Sequence, residues 1–390
     1  MPGRLSVVLA GGGSTGHVAP LLALADCLRR RDAGAEVTVL GTAEGLEARL
    51  VPAAGYPFAV VPRVPLPRRP SAALGRLPWR LHSAIAAAGR TMRDAQAQAV
   101  VGFGGYVSTP AYLAARRLGL PIVVHEQNAR PGLANRLGAR FTPYVAVTFP
   151  GTPLRGARVL GMPLRRQITA LDRGASREAA LATFGLEPGR TTLLVFGGSL
   201  GAQRLNVTFG QSRELLAAAG VQVLHVTGRG KTVDGLDGGA APGTGSTSAA
   251  PGTPPYVAVD YVDRMDLAYA AADAVVCRAG AGTVCELTTV GLPAAYVPLP
   301  IGNGEQRLNA EPVVEAGGGI LVDDPLCTPQ WVQDTLLPLL LDASELAAMG
   351  KAAGAFGITD GDERLADLVG LAVAESAGGG SAVGVRGTPS

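Results

Sequence analysis

Charge is scarce in this chain. Only 17% of its 390 residues are Asp, Glu, Lys or Arg, against ~25% in an average soluble protein. The formal net charge is +3, too near neutral for a dedicated nucleic-acid binder, and aromatics at 5% are too few for single-strand stacking platforms. The four cysteines (Cys27, Cys277, Cys285 and Cys327) are scattered and form no CxxC, which excludes a disulfide scaffold. They read as buried small hydrophobes in a reducing compartment. The four histidines do not cluster at metal-ligand spacing. No uncharged apolar run reaches the ~18 residues of a transmembrane helix. Arg4 followed by Leu5–Ala10 faintly mimics a signal peptide, but the stretch runs into Gly11-Gly12-Gly13 and reads as a first strand.

Apolar residues are abundant at 47%, enough for large cores and against disorder. At ~150 residues per domain, the length suggests two to three domains. The 54 glycines and 29 prolines follow no three-residue period, so collagen is excluded.

Short Val-rich runs alternate with segments of helical length. Strands are expected at Leu5–Ala10, Glu36–Leu40, Phe58–Val61, Ala99–Gly102, Pro121–His125 and Tyr144–Val147. Helices are expected at Ala19–Arg31 and Pro110–Leu118. A second series then begins, with strands at Leu193–Phe196, Val221–Thr227, Tyr256–Val259, Ala274–Cys277, Ala294–Val297 and Gly319–Val322. Its helices fall at Arg204–Ala218, Gly282–Val290 and Asn309–Ala316. Continuous apolar strands with helical crossovers mean parallel sheets covered on both faces. The fold class is therefore α/β: two doubly wound, Rossmann-like domains facing a cleft, with a hinge near residues 160–168. The expected domains are 1–163 and 164–358, with a helix at about 360–375 that can pack back on the first. Residues 233–255, rich in Gly, Ala, Pro, Ser and Thr, read as a flexible loop, and residues 376–390 as a disordered tail.

Three glycine-rich turns lie between a strand and a helix. The first, Gly11-Gly12-Gly13-Ser14-Thr15-Gly16-His17, has four glycines in six residues before the histidine. Backbone N–H groups at such a turn approach an anion or a sugar, and the helix N-terminus adds positive partial charge. It matches the spacing of a dinucleotide fingerprint but lacks the acidic residue that should end the second strand, and it lacks a Walker lysine. The second, Phe196-Gly197-Gly198-Ser199-Leu200-Gly201, adds a serine hydroxyl for a phosphate. The third is Arg278-Ala279-Gly280-Ala281-Gly282-Thr283-Val284-Cys285-Glu286. There Glu286 falls near the helix start and can accept both hydroxyls of a ribose. A plain turn, or an acid placed well for a helix N-terminus, is the alternative in each case.

Two polar clusters follow strands, His125-Glu126-Gln127-Asn128 and the stretch Asn303–Asn309, and either can be a site or a polar loop. Asp360-Gly361-Asp362 reads as a helix N-cap rather than a metal motif. In the stretch 63–85, Arg63, Arg68, Arg69, Arg76 and Arg80 interleave with Leu66, Leu74, Leu77, Trp79, Leu81 and Ile85. That pattern suits an anionic membrane surface or a helix packed on its own domain.

Together these stretches resemble one family, the MurG family of UDP-N-acetylglucosamine–N-acetylmuramyl-(pentapeptide) pyrophosphoryl-undecaprenol N-acetylglucosamine transferases. The resemblance rests on GGGSTGHVAP (11–20), GFGGYVSTPAYLAA (102–115), HEQNARPGLANR (125–136), GMPLR (161–165), FGGSLGAQRLN (196–206), YVDRM (261–265), CRAGAGTVCEL (277–287), GLPAAYVPLP (291–300) and EQRLNA (305–310). It implies a GT-B glycosyltransferase fold. It implies transfer of GlcNAc from UDP-GlcNAc to the muramyl sugar of lipid I at the cytoplasmic membrane face, inverting the anomeric centre, in peptidoglycan biosynthesis. No cofactor and no catalytic metal are implied; cell-wall synthesis proteins are the implied protein partners.

Residue by residue, the resemblance implies that His17 faces the acceptor as the base, with Ser14, Thr15 and Gly16 in the same substrate-binding turn. Asn128 would touch the donor sugar. Arg165 and Ser199 would contact the nucleotide and its phosphates, and Val262 would bond uracil through its backbone. Ala281, Gly282, Thr283, Val284 and Cys285 would line the pyrophosphate and sugar, with Glu286 on the ribose. Gln306 would orient the sugar hydroxyls. Thr15 stands where the family usually has glycine, Leu200 where it has glutamine, and Glu305 where it has histidine or glutamine.

Other classes remain at this level. A UDP-sugar epimerase needs no acceptor, a nucleotide-sugar sensor makes no product, and a diacylglycerol glycosyltransferase shares the donor half. A dehydrogenase is disfavoured by the missing ribose acid.

Overall fold

The structure, a computed structural model, describes residues 4–13, 15–64, 73–198, 202–233, 246–247, 252–301 and 303–379. Ser14, Ser199, Leu200, residues 65–72, most of the 233–255 loop and the tail from 380 lie outside the described residues. So do the side chains of Thr15 and of residues 73–77.

The chain divides into two compact units. One comprises residues 1–165 with 360–390, the other residues 166–359.

In the first unit the strands are β1 (Ser6–Ala10), β2 (Glu36–Gly41), β3 (Phe58–Val60), β4 (Ala99–Gly102), β5 (Ile122–Glu126), β6 (Tyr144–Val147) and β7 (Ala157–Val159). They form one parallel sheet in the order β3-β2-β1-β4-β5-β6-β7. Alternate residues of the central strands feed two cores. Val7, Leu9, Val37 and Val101 face a helix layer that includes Leu365 and Val369 of the C-terminal helix Gly361–Gly379. Val8, Ala10, Val100 and Val124 face Ile85, Ala88, Met92 and Tyr112. Both faces are covered, which is why these strands are continuous in Val and Leu rather than alternating. The C-terminal helix is held to the first unit by polar contacts as well. Arg30 pairs with Asp362 at 3.0 Å and with Glu363 at 2.9 Å, and Arg31 pairs with Asp367 at 2.5 Å. The Asp360-Gly361-Asp362 stretch thus opens a helix, with Asp362 buried against Arg30.

In the second unit the strands are β8 (Thr192–Phe196), β9 (Gln222–Val226), β10 (Ser246–Thr247), β11 (Tyr256–Val259), β12 (Ala274–Cys277), β13 (Ala294–Tyr296) and β14 (Gly319–Leu321). The order is β10-β11-β9-β8-β12-β13-β14, all parallel except the short β10. Counting parallel strands alone, both units thus carry the 3-2-1-4-5-6 order of the doubly wound fold, with β7 added at the edge of the first. In each, the order reverses beside the first strand of the series, between β1 and β4 and between β8 and β12. Ligands of such sheets bind outside the carboxyl ends of the strands at that reversal.

Several boundaries differ from expectation for physical reasons. The helix expected from Ala19 begins at Thr15, and the one expected from Pro110 begins at Gly105. Proline at a first turn is an N-terminus signal, but here Pro20 and Pro110 lie inside their helices. The single helix expected at Arg204–Ala218 breaks at Ser212, whose hydroxyl donates to the Thr208 carbonyl at 2.9 Å. β7 was not expected, because Ala157-Arg158-Val159 is a short edge segment without an apolar run.

Candidate functional site

In the second unit, Phe196 of β8 and Cys277 of β12 are paired in register at the last residue of each strand. The turns that follow them are the second and third glycine-rich turns. Two stretches some 80 residues apart in sequence thus emerge side by side at the strand-order reversal. The third turn leads into helix Ala281–Thr289, with Gly280 at its N-cap position. The Val284 N–H donates to the Gly280 carbonyl at 3.0 Å and is the first to find an intrahelical partner. The N–H groups before it, through Thr283, have no intrahelical acceptor, so the turn suits an anion. Ala281 and Val284 are buried, whereas Gly282, Thr283, Cys285 and Glu286 are half-buried.

Glu286 is held from the side. The Tyr269 hydroxyl donates to its Oε2 at 2.7 Å, and the Tyr269 ring packs 6.3 Å from that of Phe196 at the end of β8. Gln306 is half-buried near the start of helix Glu305–Glu315, and its Oε1 accepts the Leu299 N–H at 2.9 Å. This bond fixes which end of the amide is the oxygen and turns the NH2 toward other partners. Asn309 of the same helix donates to the Ala279 carbonyl at 3.3 Å, linking it to the third turn. Val262 is buried and follows Tyr261, whose ring lies 4.4 Å from the Arg229 guanidinium carbon.

Below the second turn lies a buried chain of polar groups. His225 on β9 meets the Tyr256 hydroxyl at 2.7 Å through Nδ1 and the Asn206 Oδ1 at 3.1 Å through Nε2. Asn206 in turn donates to the Thr227 carbonyl at 3.1 Å. Burial pushes the His225 pKa down to about 3, so the ring is neutral. In that state Nε2–H donates to Asn206 and Nδ1 accepts from Tyr256. This anchors helix Gln203–Gln211, which follows the glycines.

In the first unit, Ala10 of β1 and Gly102 of β4 are likewise paired at the strand ends. The first glycine-rich turn therefore neighbours the 102–106 turn. Gly105 sits at φ +78°, and a β-carbon there would come within 2.5 Å of the Gly12 carbonyl oxygen. The two loops meet backbone to backbone. His17, in the first turn of helix Thr15–Arg31, is half-buried. Burial lowers its pKa below the usual 6.5, opposed by a hydrogen bond to the Gly12 carbonyl and by the Glu47 charge. The ring is therefore neutral near pH 7, with one nitrogen donating and the other able to accept a proton. A β-carbon at Gly104 would lie 3.2 Å from His17 Nε2 and 3.3 Å from Asn135 Nδ2, so the histidine ring and this amide share the space beside the 102–106 turn.

Sequence reasoning missed Glu47. It is fully buried, and its carboxylate accepts the Gly13 N–H at 3.0 Å, the Thr42 N–H at 2.9 Å and the Thr42 hydroxyl at 2.9 Å. Burial raises its pKa, but these donors outweigh it and hold the carboxyl below its usual 4.5. The signal available in sequence was the acid in TAEGLEARL after the second strand. Beside it opens a cavity of about 130 Å³ lined by Gly12, Gly13, Thr42, Glu44, Arg63 and Tyr106. The Arg63 guanidinium carbon lies 5.1 Å from the Tyr106 ring centre.

The His125–Asn128 quartet divides. His125, Glu126 and Gln127 are buried, and only Asn128 is half-buried. His125 has its pKa pushed down to about 4 by burial, and its Nε2 meets the Gly161 carbonyl at 3.0 Å. Glu126 accepts from the N–H groups of Asn128 and Gly132, each at 3.0 Å, and from Asn135 Nδ2 at 2.9 Å. Three of the four polar residues thus build the loop that carries the fourth. Arg165 is half-buried and ends the first unit's main segment. Trp79 and Arg80 of helix Ala73–Asp94 are exposed, whereas Ile85 is buried in the core and Leu81 packs against it. The basic and apolar stretch therefore serves partly as core and partly as surface.

Comparison with known proteins shows the family and the fold. Residues 7–147 match the glycosyltransferase family 28 N-terminal domain, and residues 192–365 match the corresponding C-terminal domain. The chain is 56% identical over 370 residues to the UDP-N-acetylglucosamine–N-acetylmuramyl-(pentapeptide) pyrophosphoryl-undecaprenol N-acetylglucosamine transferase of Streptomyces avermitilis, covering 95% of this chain and 99% of that one. It is 55% identical to the protein of the same name from Streptomyces coelicolor, covering 96% and 100%. The crystal structure of Acinetobacter baumannii MurG superposes with a TM-score of 0.74 at 29% identity, covering 94% of this chain and 99% of that one. The fold is therefore GT-B, and the chain belongs to the MurG family of UDP-N-acetylglucosamine–N-acetylmuramyl-(pentapeptide) pyrophosphoryl-undecaprenol N-acetylglucosamine transferases.

Proposed function

We propose that this chain transfers N-acetylglucosamine from UDP-GlcNAc to the muramyl sugar of the undecaprenyl-pyrophosphoryl acceptor lipid I, forming lipid II and UDP. The observation that carries this reading is the end-to-end identity of 56% with a transferase named for that reaction. The local chemistry supports it. In the second unit, paired strand ends lead into two glycine-rich stretches, and a carboxylate steadied by Tyr269 lies just beyond one of them. The donor half takes Ser199, Val262, Ala281–Glu286 and Gln306 as its binding residues, with Arg165 on the phosphates and Asn128 on the sugar. The acceptor half takes the first turn, Ser14 to His17.

The acceptor hydroxyl oxygen attacks the anomeric carbon from the face opposite UDP. The bond from that carbon to the β-phosphate oxygen breaks, and its electron pair leaves with UDP. The hydroxyl proton passes to His17, which is neutral and so competent to receive it; such general-base help is worth roughly 10²–10⁴-fold. Charge developing on the pyrophosphate meets helix N-termini and Arg165, an effect worth ~3–4 kcal/mol per donor. UDP-GlcNAc is a substrate, and no cofactor enters this scheme.

Among the described residues no helix is long and apolar enough to cross a membrane. Contact with the cytoplasmic face is assigned to the first unit, where Trp79 is 78% exposed beside Arg80. The test is transfer of radiolabel from UDP-GlcNAc to a lipid I analogue, with and without EDTA and with His17→Ala alongside. Disaccharide product that requires the muramyl acceptor and survives EDTA is expected. Conversion of UDP-GlcNAc without acceptor would replace this reading with an epimerase, and full turnover by His17→Ala would remove the base.

A further inference from the structure

Asp324 lies outside every motif identified in the sequence. It opens the 3₁₀ turn Asp324–Leu326, three residues beyond the end of β14. Its side chain is 11% exposed, and two arginines approach it. Arg278 Nη2 lies 2.6 Å from Oδ1, and Arg278 is likewise 11% exposed. The contact brings opposite charges together without the alignment of a hydrogen bond at Oδ1. Arg204 Nε lies 3.5 Å from Oδ2 and is 45% exposed. The two arginines lie next to different glycine-rich turns. Arg204 is the second residue of the helix that follows Gly197–Gly201, and Arg278 is the first residue after β12, leading into Gly280.

Arg278 reaches a third segment as well. Its Nη1 donates to the carbonyls of Val297 at 3.1 Å and Pro298 at 3.2 Å. The next residue, Leu299, gives its N–H to Gln306. A guanidinium is planar and presents its N–H groups in a fixed fork, so one Arg278 conformation sets its carbonyl partners and its carboxylate together. The largely buried pair is costly to desolvate and is not explained as a source of stability alone.

We propose that Asp324 is a positioning residue, a shared counter-ion that fixes the spacing of the two donor-binding turns and, through Arg278, of the loop that orients Gln306. The proposal rests on the donor reading above and names no direct contact between Asp324 and substrate. Loss of the charge frees the turns relative to one another, so donor affinity falls, and with it the sugar discrimination that depends on Gln306.

The experiment compares wild type with Asp324→Asn, Arg204→Gln, Arg204→Lys and the double variant Asp324→Asn with Arg204→Gln. It measures UDP affinity by calorimetry, KM and kcat for UDP-GlcNAc, the preference for UDP-GlcNAc over its C4 epimer, and thermal stability. Asp324→Asn is expected to raise the UDP Kd and the UDP-GlcNAc KM by about tenfold, to lower the epimer preference and to change kcat far less. Arg204→Gln, at a half-exposed site, is expected to raise KM by about threefold, with rescue by Arg204→Lys and no further effect in the Asp324→Asn background. A fall in melting temperature with wild-type Kd, KM and epimer preference would overturn the proposal and leave a plain structural ion pair. If Asp324→Asn does not fold, Arg204→Gln decides, and wild-type donor binding by that variant overturns it. A wild-type protein that binds no UDP would instead remove the donor reading, and this inference with it.

Discussion

Replacing Glu47 by glutamine changes one carboxylate oxygen into an NH2 in a fully buried side chain. The retained carbonyl oxygen can still accept from Thr42, whose N–H and hydroxyl both lie 2.9 Å from Oε1. The new NH2 then faces the Gly13 N–H, which now donates to Oε2 at 3.0 Å. Two donors meet, one charge-assisted bond is lost, and the new NH2, on a buried side chain, gains no acceptor there. Bonds to charged groups contribute ~1.5–3 kcal/mol and an unsatisfied buried donor costs ~1–3 kcal/mol, so the expected loss is about 2–4 kcal/mol. For a unit of this size that lowers the melting temperature by roughly 4–16 °C. Calorimetry at pH 7 measures it. The folded carboxyl sits below its unfolded 4.5, so its contribution is fully present above pH 4.5 and is lost as pH falls through the lower folded value. The difference between wild type and variant should therefore shrink only in that acid window. The first turn should shift as well, raising KM for the lipid I analogue while leaving UDP affinity unchanged. A variant with wild-type melting at pH 7 and wild-type acceptor KM would refute the role given to Glu47.

Three further outcomes follow from the same geometry. Gly105→Ala puts a side chain at φ +78° and within 2.5 Å of the Gly12 carbonyl oxygen; strain alone costs ~1–3 kcal/mol, so thermal melts should show a destabilised first unit. Tyr269→Phe removes the 2.7 Å bond to Glu286 and should weaken UDP binding about tenfold with kcat nearly unchanged, read by calorimetry and steady-state kinetics. Because burial lowers the His17 pKa below 6.5, the base form persists through neutral pH. The acid limb of the pH–rate profile should therefore lie below 6.5; a limb above 7 that is lost in His17→Gln would contradict that direction.

The fold was largely legible because each central strand is buried on both faces and so reads as a continuous apolar run. Tyr256–Val259 and Ala274–Cys277 were delimited without error for this reason. The edge strand Ala157–Val159 carries no such signal. Glycine-rich turns were also legible, since backbone approach needs glycine at fixed places. Their adjacency was not, because Phe196 and Cys277 meet only through strand order. Supporting polar groups were the least visible. Glu47, Tyr269 and Asp324 reach Gly13, Glu286 and Arg278, all well separated from them in sequence, and a lone acid or tyrosine carries no pattern. The His125–Asn128 stretch shows the converse, since three polar residues that read as site chemistry are buried scaffolding for the fourth.

The central claim is that the second unit receives the uridine diphosphate. Hydrogen–deuterium exchange of the purified chain with and without UDP tests it most directly. The account predicts slowed exchange at 196–206, 261–265 and 278–290, with residues 11–17 and 102–106 unchanged. Protection confined to the first unit's two turns, or none anywhere, would contradict it.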